Sequence, residues 1–150
     1  LKKYSFTTPY NYSGGVIVTK SSDNSIKSFE DLKGRKSAQS ATSNWGKDAK
    51  AAGAQILVVD GLAQSLELIK QGRAEATIND KLAVLDYFKQ HPNAGLKIAY
   101  DRGDKIPTAF AFLQGEDALI SKFNQALEAL RQDGTLKQIS IEWFGDDITQ

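Results

Sequence analysis

Cysteine and methionine are absent from the 150 residues, and histidine occurs once. Without cysteine there is no disulfide, no thiol nucleophile and no thiolate metal site, and the redox compartment stays open. The missing methionine leads to the expectation that N-terminal sequence was removed from a longer translation product. His91, ahead of Pro92, has no neighbours with which an acid–base pair or a metal cluster could be built, so no metal and no cofactor is expected. No apolar run approaches the roughly 20 residues of a membrane-spanning helix, and the opening Leu1-Lys2-Lys3-Tyr4 is not a signal-peptide core. Charge of one sign is lacking too. Nineteen basic against eighteen acidic residues give a net +1, which offers no footprint for nucleic acid or an anionic membrane and points to a small partner.

What is present is globular. With 41% hydrophobic and 25% charged residues, the chain can build one ordinary domain or two small lobes. Val16 to Lys20, Ile56 to Val59, Ala76 to Ile78 and Leu96 to Tyr100 are rich in β-branched residues and bounded by Gly, Asp or Asn, the pattern of strands. Between them, Leu62, Leu66 and Ile69 recur at helical spacing before Gly72, as do Leu82, Leu85 and Phe88 before Pro92. This alternation predicts an α/β fold with a mostly parallel sheet and helices on its faces. A further strand is expected at Ala109 to Leu113. A longer helix from Glu116 follows, then Asp133-Gly134 and a last helix with Leu136, Ile139, Trp143 and Phe144. Ser21 to Ser25 is the one linker-like piece, and no internal repeat is found.

Two places carry chemistry. Leu32 to Lys50 reads as a strand, a polar turn and a helix start, and Thr42, Ser43 and Asn44 are helix-capping residue types. The unpaired N–H groups of a helix's first turn bind a carboxylate or phosphate, although most such caps serve only their own helix. Asn79-Asp80 closes another strand just before a helix. In open α/β sheets ligands lie beyond the carboxyl ends of the strands, where Asp80 could meet an ammonium group while the Thr42–Asn44 turn meets an anion. Together they suit a zwitterion. Taken alone, Asp80 reads more readily as a plain N-cap of the following helix than as a ligand group. Trp45 could cover a ligand or pack over the helix start, and Arg102-Gly103-Asp104 reads as a turn. Asn11-Tyr12-Ser13 fits a glycosylation sequon, a frequent accidental match.

A series of motifs then carries a family resemblance. Phe6-Thr7-Thr8-Pro9-Tyr10, Ser13-Gly14-Gly15-Val16-Ile17-Val18, Ser28-Phe29-Glu30-Asp31-Leu32-Lys33-Gly34, Gln71-Gly72-Arg73-Ala74-Glu75-Ala76, Asn79-Asp80, Leu130 to Leu136 and Glu142-Trp143-Phe144-Gly145 occur in this order. The chain resembles the polar-amino-acid solute-binding proteins of bacterial ABC importers along its whole length, and Ala38 to Lys50 is most similar to the cystine-type branch. The resemblance implies a periplasmic-binding-protein-like fold of type II, two lobes joined by two crossover strands. It also implies that Ser40, Thr42, Ser43 and Asn44 surround the α-carboxylate of an amino acid, that Asp80 pairs with its ammonium group, and that Trp45 is an additional candidate.

The departure from that pattern is a truncation. The upstream half of the first lobe, with a carboxylate-clamping arginine and sandwiching aromatic groups, has no counterpart here. On this reading residues 1–15 are a remnant of lobe 1, 16–103 a crossover plus the complete lobe 2, and 104–150 the second crossover and the C-terminal part of lobe 1. The implied function is non-enzymatic. An extracytoplasmic receptor, in the periplasm or at the outer face of the membrane, would deliver a polar amino acid, cystine being the candidate the branch suggests, to an ABC permease. A sensor domain of a signalling receptor and a periplasmic dehydratase are the alternatives of the same fold. Self-association is expected, because Phe110, Phe112, Phe123, Leu127, Leu130, Trp143 and Phe144 would lack part of their natural cover.

Overall fold

The computed structural model describes residues 3–150. The chain forms strands β1 (Tyr4–Phe6), β2 (Asn11–Ser13) and β3 (Gly15–Lys20), a 3-10 turn at Glu30–Leu32, then β4 (Lys36–Ser40), α1 (Asn44–Ala51), β5 (Gln55–Val59), α2 (Leu62–Lys70), β6 (Thr77–Asp80), α3 (Lys81–Gln90) and β7 (Leu96–Asp101). It ends with β8 (Ile106–Thr108), β9 (Ala111–Leu113), α4 (Asp117–Gln132) and α5 (Thr135–Phe144). These elements divide into two compact units: Gly14–Asp104, and the chain up to Ser13 together with Lys105–Gln150.

In the Gly14–Asp104 unit, β4 and β5 pair in parallel, while β3 pairs antiparallel with β6 on one side and β7 on the other. A parallel bridge between Ser37 and Ala76 joins the two groups, giving the order β5-β4-β6-β3-β7. The expectation of a mostly parallel sheet is therefore corrected. Strands β4, β5, β6 and β7 do run the same way, joined by α1, α2 and α3, because a parallel strand needs a crossover and a helix supplies it. The exception is β3. It enters the unit beside the point where β7 leaves, so it lies against the direction of both neighbours and makes two pairings antiparallel.

The sheet is buried on both faces. Along β3 successive side chains alternate sides, so Val16 and Val18 join Leu66, Ile69 and Val84 in one cluster while Ile17 joins Ile26, Leu32 and Ile78 in the other. All of these are essentially inaccessible to solvent. Such two-sided burial is what a continuous Val-Ile-Val run encodes. On α3 the inward residue is Val84, whereas Leu82, Leu85 and Phe88, which the spacing singles out, are only half-buried.

The second unit has two separate antiparallel ribbons, β1 with β9 and β2 with β8, and the helices α4 and α5. The strand expected at Ala109 to Leu113 is shorter, because the Phe110 N–H turns to the Thr7 hydroxyl at 3.1 Å and leaves only Ala111–Leu113 in the ladder. Gly134, at φ +83°, makes the left-handed turn between α4 and α5 that a residue with a Cβ would resist. Arg131 ties the unit together by donating to the carbonyls of Pro9 (2.8 Å) and Thr149. Leu127, expected to lack cover, is buried, as are Ile120 one heptad earlier on α4 and Ile148 near the C-terminus.

Candidate functional site

Within the Gly14–Asp104 unit, the polar turn after β4 forms the helix start anticipated from its residue types. Ser43 is the N-cap of α1: its Oγ accepts from the Gly46 N–H at 2.9 Å and donates to the Ser40 carbonyl at 3.1 Å. The Ser43 N–H also reaches that carbonyl, at 3.2 Å, so Ser40 acts through its backbone. Thr42 and Asn44 are exposed, and Trp45 is half-buried. The cap satisfies one first-turn donor. The N–H groups of Asn44 and Trp45 find no acceptor among the described residues and carry the positive end of the helix dipole.

Asp80 closes β6 and caps α3, its Oδ1 accepting from the Leu82 N–H at 2.9 Å. Its own N–H is held by the Asn79 side chain at 2.9 Å. The N-cap reading is thus realised, and it leaves the carboxylate half-buried at the strand end. Lys81 follows, its ammonium 3.1 Å from the Asp101 carboxylate and its N–H on the Gly14 carbonyl at 2.8 Å.

The α1 start and Asp80 belong to one rim. Asp80 is the register partner of Gly15 in the β3–β6 ladder, and the Trp45 ring lies directly on Gly15, where a Cβ would come within 2.7 Å of the ring. Glycine is required there because the indole occupies the side-chain space. The strands that carry the two sides of this rim are also joined below it. Between β4 and β6 the backbone ladder stops at the Ser37–Ala76 bridge, and the buried Gln39 side chain replaces it. Oriented to satisfy both groups, its amide donates to the Ile78 carbonyl at 3.1 Å and accepts from the Ile78 N–H at 2.6 Å. Thr77 adds a buried hydroxyl bond to the Ala38 carbonyl at 2.7 Å.

Reading the sequence missed Arg102. The turn expected at Arg102-Gly103-Asp104 exists, with the Gly103 N–H on the Asp101 side chain at 2.9 Å. The Arg102 guanidinium, however, points back into the unit. It donates to Asp48 on α1 at 2.9 Å and to Asp104, and lies 5.4 Å from the Trp45 ring centroid and 5.3 Å from that of Phe29. Burial works against its charge, but the hydrogen bonds to Asp48 and Asp104 outweigh it and hold the guanidinium above its ordinary pKa. No sequence signal marks partners 54 positions apart. Among the described residues there is no cluster of metal-ligating side chains and no helix long and apolar enough to cross a membrane.

The model of a family described as bacterial extracellular solute-binding proteins, family 3, matches residues 1–146. A probable amino-acid ABC transporter-binding protein of Haemophilus influenzae is 97% identical over 150 residues, all of this chain and 58% of that protein. The L-cystine-binding protein TcyA of Bacillus subtilis is 47% identical over 148 residues, 99% of this chain and 55% of its own length. Among solved structures, the L-cystine solute receptor of Neisseria gonorrhoeae, unliganded and open, superposes with a TM-score of 0.90 at 49% identity, covering 99% of this chain and 63% of that one. The chain therefore spans under two thirds of the length of these relatives.

Proposed function

The chain belongs to the bacterial extracellular solute-binding proteins, family 3, and from that premise we propose that it is the part of an amino-acid receptor that contributes one wall of the ligand site and serves an ABC permease outside the cytoplasmic membrane. Gly14–Asp104 is then the complete second lobe, and the remaining residues are part of the first. The observation that carries the reading is the shared rim: the unfilled N–H groups at Asn44 and Trp45 suit an α-carboxylate, and Asp80, register partner of the Gly15 under Trp45, suits an α-ammonium. Ser40, Thr42 and Ser43 shape the carboxylate side, and Trp45 lies beside it. Cystine is the ligand of choice because two relatives sharing nearly half the residues bear that name. The reading is one of binding without turnover.

The test uses the longer Haemophilus influenzae relative with these 150 residues in place of its own matched segment. Titration calorimetry with L-cystine is expected to give tight binding that Asp80→Asn weakens by roughly 2–5 kcal/mol, the cost of leaving one member of a buried charge pair unpartnered. The diamide of cystine should bind far more weakly than the acid, since a neutral group loses the charge-assisted hydrogen bonds. Equal affinity of wild type and Asp80→Asn would reduce Asp80 to a helix cap.

A further inference from the structure

Arg102 follows the last residue of β7, yet it touches three other segments of the Gly14–Asp104 unit. Its N–H donates to the Gly15 carbonyl at 3.1 Å, which fixes its backbone beside β3. Its side chain reaches Asp48, one turn into α1, and its guanidinium lies over the ring of Phe29 and over that of Trp45. Phe29 is in turn braced edge-on by Tyr100, 5.7 Å between centroids. The other end of the fork holds Asp104, whose backbone packs so closely on Gly14 that a Cβ there would come within 2.6 Å of the Asp104 carbonyl oxygen. One planar cation thus presses on the indole that covers Gly15, clamps the helix whose first turn faces the rim, and anchors the chain where it leaves the unit.

We infer that Arg102 is a positioning residue for amino-acid binding: it fixes Trp45 and the start of α1 relative to Asp80, without itself touching the ligand. This rests on the reading of the rim as an amino-acid site. The geometry calls for arginine specifically. A guanidinium stacks its flat face on aromatic rings while its edge bonds two carboxylates, whereas a lysine ammonium is a hydrated point charge that can do one of these at a time. Loss of the fork leaves Asp48 and Asp104 without their shared cation, and Trp45 free to tilt from Gly15.

The experiment compares wild type, Arg102→Lys, Arg102→Gln and Asp48→Asn in the grafted protein described above, each also carrying Trp143→Phe and each read against its own Trp45→Phe counterpart, so that the difference spectrum belongs to Trp45. L-cystine affinity is read by calorimetry, Trp45 by its emission maximum and acrylamide quenching, and folding by circular dichroism and Tm. Both Arg102 variants are expected to lose roughly five- to thirty-fold in affinity, with Trp45 red-shifted and more quenchable and the circular dichroism unchanged. Asp48→Asn should lose less, because one bond of the fork and both ring contacts survive. Wild-type affinity and Trp45 emission in Arg102→Lys would overturn the inference, as would a lowered Tm with the affinity of the folded protein intact. If wild type itself binds no amino acid, the reading of the rim fails and this inference falls with it. Binding that survives Arg102→Lys unchanged sinks the inference alone.

Discussion

Val16, Ile17 and Val18 are completely buried in the sheet of the Gly14–Asp104 unit, whereas Phe6 and Leu113, in the β1–β9 ribbon of the other unit, stand 60% and 67% exposed. The contrast is general. Of the large apolar side chains exposed among the described residues, all but Val58 lie outside Gly14–Asp104, and of the buried ones all but Ile120, Leu127 and Ile148 lie within it. Both units draw on similar apolar residues. They differ in layers: helices cover both faces of a five-stranded sheet in one, while the other has two ribbons of two strands each, too few to bury a face by themselves. Burial is thus a property of what an element packs against, and the rim with Asp80 and Ser43 stands on the unit that can hold it still.

The largest effect should come from opening the well-packed unit. Leu66→Ala removes a fully buried side chain from the cluster of Val16 and Val18 and is expected to cost about 2–5 kcal/mol. The matching Leu130→Ala on the exposed face of α4 should stay within about 0.5 kcal/mol. Urea unfolding checks both, with Trp45 reporting one unit and Trp143 the other. Equal losses would erase the distinction between the units.

Gly14→Ala probes the tightest backbone approach, since a Cβ would meet the Asp104 carbonyl at 2.6 Å, and a destabilisation of about 1–3 kcal/mol is expected in the same assay. The exposed unit is tested by solubility instead. The chain by itself should elute in light-scattering chromatography as more than its 16.4 kDa monomer, through open strand edges and exposed apolar side chains such as Leu113 and Trp143. Leu113→Ser with Trp143→Ser should move the population toward monomer while changing stability by less than about 0.5 kcal/mol. A monodisperse wild-type monomer would mean that these patches do not drive association.

The smallest effect is electrostatic. Glu75 is held below its ordinary pKa first by the Lys36 N–H at 3.0 Å and then by the Arg35 guanidinium at 2.7 Å. A carboxylate whose folded pKa is depressed contributes stability that is complete above its unfolded value and disappears as pH falls through the folded one. Glu75→Gln should therefore lower Tm by only about 2 °C at neutral pH, in keeping with a half-exposed ion pair, and the two melting curves should converge in acid.

Much of this was legible in the chain. The Val16–Val18 run marks a strand buried on both faces, and Leu66 and Ile69 at helical spacing mark the inner face of α2, because these patterns are local consequences of periods of 2 and 3.6 residues. The capped helix start at Thr42–Asn44 and the strand-end position of Asp80 were equally readable from residue type and neighbours, though not that Ser43 among the three is the cap. Not legible was the direction of β3, which depends on where the chain enters and leaves the unit. Nor was the shorter β9, decided by a hydrogen bond between residues 103 positions apart.

The sequence by itself determined the strands of the Gly14–Asp104 unit, the helices α1 to α5, the two capped helix starts and the family to which the motifs belong, since each is encoded within a few residues or in their order. Tertiary structure alone decided that Trp45 lies on Gly15, that Gly15 pairs with Asp80, that Gln39 substitutes for a missing ladder pair and that Arg102 joins Asp48 to Asp104 across two rings. The physical reason is range: a cap or an apolar period is set by neighbours along the chain, whereas a stacked ring or a forked ion pair exists only once distant segments have been packed together, and no local pattern specifies which of several arginines will be the one enclosed.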